Sequence, residues 1–312
     1  MCTLTKETEQ MTHISIMYED GERKDYSVLN PETERKINKN SDKSYKEMME
    51  REQRKRDEWN KGKHWSAAYH DAVKVASEQI NNEEAGCIMH MLTFLNVHSN
   101  GRLEHNNKPL SKNDIALSIN KKPRRTYSIL KKLEDIGVLL VHKEGRNNVY
   151  FINAEYHSMG VNIKQGMHFT KLFKHKTKDV IKDLSLHDAG ILYKMLPYFH
   201  FQSFYLSDKP NEDLREDPSL SWDDNVKKKT YKTASHLNQQ KWATLLGCSR
   251  TSLNKCFAIL SDLEILMRQK VGSNKTTYMI HPDVMYRMEQ DDSYYKAFVI
   301  MQFEHNKEKK NQ

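Results

Sequence analysis

Cysteine is scarce in this chain, and its spacing suits neither a cross-link nor a metal cage. The four thiols (Cys2, Cys87, Cys248 and Cys256) include no CxxC pair and no histidine partner at ligand spacing. A disulfide framework and a zinc site are therefore excluded as organising elements, and reduced thiols are expected. Long apolar runs are missing as well. None approaches the roughly 20 residues of a membrane helix, and Met1 to Gln10 lacks the apolar stretch of a secretory signal. A cytoplasmic protein with no membrane partner is the expectation. Catalytic signatures are also lacking: there is no glycine-rich phosphate loop, GxSxG, HExxH or His-apolar-His pair, and no Asp/Glu pair in an apolar setting. The chain reads as non-enzymatic, with no cofactor and no metal.

Charge is what the sequence has in quantity. Charged residues make up 29% of the 312 positions and hydrophobic ones only 37%, a mixture that suggests small cores with a well-solvated periphery. The net charge of +8 favours a polyanionic partner.

The strongest pattern is an internal repeat. With Leu110 laid on Leu237, an offset of 127, Ala116 falls on Ala243, Ile119 on Leu246, Leu130 on Phe257 and Leu133 on Leu260. Ile136, Val138, Leu139 and Gly145 likewise fall on Leu263, Ile265, Leu266 and Gly272. Upstream, Ala85-Gly86-Cys87 lies on Ala189-Gly190-Ile191 at an offset of 104. The second copy thus carries 23 additional residues, which coincide with a polar stretch at 207–235.

Each copy reads as helix, helix, turn, helix and two-stranded hairpin. Apolar spacing predicts a helix from Glu83 to Val97. Ser111 followed by Asp114 signals the start of the next, and Pro123 suits the first position of a third. Gly137 ends that helix, and Val138 to His142 and Asn148 to Ile152 are strands. The second copy gives helices Gln239 to Leu246 and Arg250 to Glu264, then strands Leu266 to Lys270 and Thr276 to Ile280. The expected fold class is mainly α with small β-hairpin wings (α+β): two tandem winged-helix domains related by duplication. The domains are expected at 63–160 and 183–287, joined by a lysine-rich connector at 161–182. They are preceded by a charged, partly disordered arm at 1–62, with a candidate helix from Tyr45 to Trp59, and followed by a C-terminal helix and tail at 288–312.

The stretch from Leu237 to Pro282, with Gly247-Cys248-Ser249-Arg250-Thr251-Ser252 at its turn, resembles MarR-like winged-helix regulators. The region 83–287 resembles the two-module winged-helix proteins of Gram-positive plasmids and phages, including RepL-like replication proteins. The segment Phe151-Ile152-Asn153-Ala154-Glu155-Tyr156 is similar to the exit of their wing. The resemblance implies a DNA-binding regulator of transcription on a phage or plasmid, or alternatively an initiator that binds origin repeats. A protein-interaction scaffold is a third class.

In such a fold the helix after the turn enters the major groove. The candidate contacts of the first copy are Lys121, Lys122, Arg124, Arg125, Thr126, Tyr127 and Lys131, with Arg146 and Asn147 on the wing. Those of the second are Ser249, Arg250, Thr251, Ser252, Asn254 and Lys255, with Asn274 and Lys275 on the wing. Arginines at the helix start suit guanine edges, and lysines suit phosphates. The expected partner is double-stranded DNA, with a homodimer and a host replication or transcription protein as further candidates. The denser cations of the first copy predict that it carries more of the affinity.

Overall fold

The computed structural model describes residues 64–96, 100–159, 163–164, 166–271, 275–287 and 294–310, together with Glu50 and the backbone of four strands nearer the N-terminus. Two compact units divide the chain, 1–62 and 63–312. In the first, β1 (Leu4–Lys6), β2 (Thr12–Met17), β3 (Arg23–Val28) and β4 (Lys36–Asn38) form an antiparallel meander in sequential order. This corrects the expectation of a partly disordered arm for those segments. Ile14 and Ile16 alternate with His13 and Ser15, a period of two that suits a strand, and Ile14 pairs opposite Tyr26. The helix expected from Tyr45 to Trp59 lies outside the described residues, Glu50 apart.

The second unit is mixed α and β, and its two halves follow a similar but not identical order of elements. The first half opens with β5 (Trp65–Tyr69), α1 (His70–Gln79) and α2 (Asn82–Leu92). After a short hairpin of β6 (Glu104–His105) and β7 (Lys108–Pro109) come α3 (Lys112–Ser118) and α4 (Pro123–Asp135). The hairpin of β8 (Leu139–Glu144) and β9 (Asn147–Ile152) follows, then β10 (His157–Met159). The second half has β11 (Phe169–Phe173), α5 (Lys174–Ile181), α6 (Leu186–Met195), α7 (Trp222–Lys228), α8 (Gln239–Leu245) and α9 (Arg250–Asp262). It closes with β12 (Leu266–Val271), β13 (Lys275–Ile280) and β14 (Met285–Tyr286), and α10 (Tyr294–Lys310) ends the described chain.

These ranges correct the expected connector. Residues 169–181 form the first strand and first helix of the second half, with Leu172, Phe173, Val180 and Ile181 in the core. Of the connector's lysines, Lys176, Lys178 and Lys182 remain exposed, whereas Lys171 enters the packed face along its long stem. Lys171, 6% exposed, sets its ammonium 5.3 Å from the centre of the Trp65 ring.

A four-stranded sheet in the order β10-β5-β11-β14 joins the halves. In the antiparallel central pair, Ala67 faces Lys171, its own counterpart at the offset of 104. That register puts an approximate two-fold axis between β5 and β11. The flanking pairs obey the same exchange, His157 facing Ala68 and Met285 facing Leu172.

Beside the sheet, α2 crosses α6 at the two glycines that the repeat aligns. A Cβ on Gly86 would stand 1.9 Å from the Leu186 carbonyl oxygen, and one on Gly190 would stand 1.7 Å from that of Asn82. Neither space admits an atom, so glycine is obligatory at both positions. Lys194 of α6 reinforces the crossing by donating to the Ile80 carbonyl, 2.7 Å away and buried.

The stretch at 207–235 is anchored rather than loose. Leu214 and Trp222 are buried, and the guanidinium of Arg287, just after β14, donates to the carbonyls of Phe199 (2.5 Å) and Pro210 (3.1 Å) and to Asn211 Oδ1 (2.7 Å). The C-terminal helix expected at 288–312 is observed as α10, which buries Tyr295, Val299 and Phe303 on one face.

Two outcomes are expected for stability. Gly86→Ala and Gly190→Ala should each lower the unfolding free energy by about 3 kcal/mol or more, at or beyond the upper end for overpacked cores. The double variant should cost less than twice that, because one forced separation of α2 and α6 relieves both clashes. Additive losses in chemical denaturation would contradict a shared contact. The second outcome concerns pH. Burial lowers the pKa of six described histidines, among them His70 to about 2, His157 to about 3, and His90 and His200 to about 4. Unfolded histidine takes a proton near pH 6.5, so below that the unfolded state binds more protons and stability falls with pH. The denaturation midpoint should drop steadily from pH 6.5 to 4.5, and His157→Gln should flatten the slope by about one proton.

Candidate nucleic-acid interface

In each half two short helices meet across a four-residue turn, and side-chain caps set where each begins. Before α3, Ser111 Oγ accepts from Asp114 N (3.2 Å) while Asp114 Oδ2 accepts from Ser111 N (2.8 Å), a reciprocal capping box. Asn238 caps α8 through Lys241 N, 2.9 Å, and Ser249 caps α9 through Ser252 N, 3.0 Å. Pro123 opens α4, where a missing N–H costs nothing.

The faces of α4 and α9 follow from spacing of three and four. In α4, Thr126, Ile129, Leu130 and Leu133 are buried, and in α9, Leu253, Cys256, Phe257 and Leu260. Thr126 is 0% exposed, and its hydroxyl donates to the Lys122 carbonyl at 3.2 Å, so it is removed from the expected contacts. At the offset of 127 it stands opposite Leu253, which is buried as well. The expected residues that remain exposed include Lys122, Arg124, Arg125, Tyr127 and Lys131 on the first half and Arg250, Thr251, Asn254 and Lys255 on the second. Arg146, Asn147 and the capping Ser249 are exposed too, whereas Lys121 and Ser252 are partly buried. Asn274 and the side chain of Lys275 lie outside the described residues.

Several cations of the first half are engaged by carboxylates. Glu83, on the first turn of α2, accepts from Lys121 Nζ at 2.7 Å through Oε1. Its Oε2 accepts from Arg125 Nη2 at 2.6 Å and Nε at 3.2 Å. Hydrogen bonds from Lys121, then Arg125, hold the Glu83 carboxyl below its ordinary pKa. Lys131 is within 3.2 Å of Glu134 and 3.1 Å of Asp135 on its own helix. Lys122, Arg124 and Arg146 are exposed and make no ion pair among the described residues, and the same holds in the second half for Lys241, Arg250 and Arg268. These last three line a cleft of about 600 Å³ with His236, Leu237, Asn238, Gln239, Gln240 and Thr276. It has no carboxylate in its lining, and it lies between the start of α8, the start of α9 and the β12–β13 hairpin.

Sequence reasoning missed Glu83, Lys241 and Arg268. The repeat offsets pair these with His187, Asp114 and Val141, so the signal lay in where the copies differ, not where they agree. No protein-family model, curated protein or solved structure matches the chain, and the functional reading therefore rests on its own geometry. No helix among the described residues is long and apolar enough to cross a membrane.

Ser111→Ala should cost about 1 kcal/mol of stability by removing the cap of α3, and Ser249→Ala about the same at α9. Denaturant titration reads both, and an unchanged midpoint would show that the caps do not fix these helix starts.

Proposed function

We propose that this protein binds double-stranded DNA sequence-specifically, through two winged-helix halves that are copies of one module. The carrying observation is the carboxylate-free cleft of Lys241, Arg250 and Arg268 around the start of α9. Phosphates suit a concave cationic surface, and the exposed helix start beside it brings Arg250 and Asn254 within reach of base edges. In winged helices a third strand joins the hairpin ahead of the two turn helices. Here Leu103 N donates to Tyr150 O at 2.9 Å, and Leu206 N donates to Tyr278 O at 2.8 Å. Each half therefore has an isolated bridge at that place, Arg102 with Phe151 and Tyr205 with Met279, which supports the assignment.

The first half spends part of its charge on Glu83, Glu134 and Asp135, while Lys122, Arg124 and Arg146 stay exposed on its reading helix and wing, so both halves contribute to the phosphate attraction. The two-fold exchange supplies paired reading helices within one chain, so a homodimer is not needed to present two. Regulation of transcription on a phage or plasmid, with origin binding in replication as the alternative, follows from the family resemblance. The DNA recovered with the protein, a promoter or a cluster of repeats, separates them.

Full-length protein should bind a selected duplex with log K falling against log salt at a slope of about −6, for about seven phosphates neutralised. Arg250→Ala combined with Arg268→Ala should make the slope shallower by about 2, and Lys131→Ala by clearly less than 1. Equal affinity for unrelated duplexes, or a slope indifferent to the cleft arginines, would sink the reading.

A further inference from the structure

Among the ion pairs of the interface, one joins the reading helix to the rigid centre of the fold. Glu83 is three residues from Gly86, where α2 is locked against α6, and it lies within the turn capped reciprocally by Asn81 and Glu84. Its carboxylate therefore sits on backbone with little freedom. Arg125 is on the first turns of α4 and is 46% exposed at its side chain, so it is held at one edge and open at the other. A guanidinium has five N–H donors in a planar fork. Glu83 takes the Nε–H and one Nη2–H. The two Nη1 hydrogens and the second Nη2 hydrogen are left, and two of these form the parallel end-on pair that matches guanine O6 and N7. Lys121 occupies the other carboxylate oxygen, which prevents Glu83 from rotating away.

The second half has no such device. At the aligned positions, His187, Cys248 and Ser252 replace Glu83, Lys121 and Arg125. Its cations are open, whereas the first half holds one arginine at a defined angle.

We propose that Glu83 is a positioning residue that orients Arg125 for bidentate recognition of a single guanine, making the first half the stricter reader of the two. This rests on the DNA-binding reading and adds the base and the residue that fixes it. An orientation set before encounter removes the rotamer entropy that a free arginine loses on binding, and it disfavours angles that suit other bases. The ion pair thereby lowers general attraction to phosphate while sharpening selection at one base pair.

The test uses the full chain and a pool of duplexes with randomised half-sites, scored by selection and sequencing. The native protein should prefer guanine at one position by about tenfold or more. Arg125→Lys, which keeps the charge and loses the fork, should abolish that preference and spare the other positions. Glu83→Gln and Glu83→Ala should weaken it several-fold at the same position. Average affinity for the pool should rise in Glu83→Ala, since a carboxylate next to DNA is lost. If both Glu83 variants keep the guanine preference and gain affinity equally on every duplex, Glu83 only masks charge and the proposal is wrong. If Arg125→Lys alters a different position from the Glu83 variants, the proposal also fails. A native protein without preference at any position overturns the DNA-reading function itself, a result distinct from the other two. Thermal unfolding of each variant checks folding, and Glu83→Gln, nearly isosteric, retains the test if Glu83→Ala unfolds.

Discussion

Backbone contact between α2 and α6 governs the second unit of this protein. Gly86 and Gly190 bring two helices so close that each glycine faces a carbonyl of the other helix. The same exchange of positions pairs Ala67 with Lys171 at the middle of the sheet. Once these two contacts form, every later element in one half has a fixed relation to its counterpart. The hairpins, the turn helices and the outer strands β10 and β14 are then placed by packing on a shared centre. Cutting the chain between the halves would strip β5 of its central partner and leave a helix face shaped only for another backbone. The halves are therefore interdependent, unlike two modules on a tether, and the segment once read as a linker is part of what binds them.

That shared centre also explains how similar halves can act differently. Core positions are constrained by the common packing, so the copies agree where side chains are apolar. Surface positions carry no such constraint, and there the halves diverge. The first pairs Lys121, Arg125 and Lys131 with nearby carboxylates, while the second gathers three cations around a cleft without a carboxylate. Exposed ion pairs contribute little to stability, with a median of ~0–1 kcal/mol. Their larger effect is to decide which charges remain open at the surface. Net charge alone, or a count of basic residues per copy, does not reveal this, because it ignores where the acids fall in space.

The turn helices, their starts and the hairpins that follow them were legible in the sequence. Apolar spacing of three and four identified α4 and α9, serine with a following aspartate marked the cap of α3, and the offsets of 104 and 127 aligned the copies. Those signals are local, arising from helix periodicity and from hydrogen bonds spanning three residues. The buried state of Thr126 was also readable, since the same offset pairs it with Leu253.

Other features depended on contacts between residues far apart in the chain, which no local pattern encodes. The sheet joining the halves brings Ala67 to Lys171. The lysine-rich segment contains a central strand, on which Lys171 lies near the faces of Trp65 and Tyr286. Glu83 reaches Arg125 across 42 residues, and Arg268 reaches the start of α9 only when the hairpin folds back. Composition and periodicity by themselves pointed to two basic stretches, each of helices closed by a hairpin, in an α+β chain. Tertiary packing decided that they share one core, which cations are neutralised and which stay open, because close approach and charge pairing are set by distance in space.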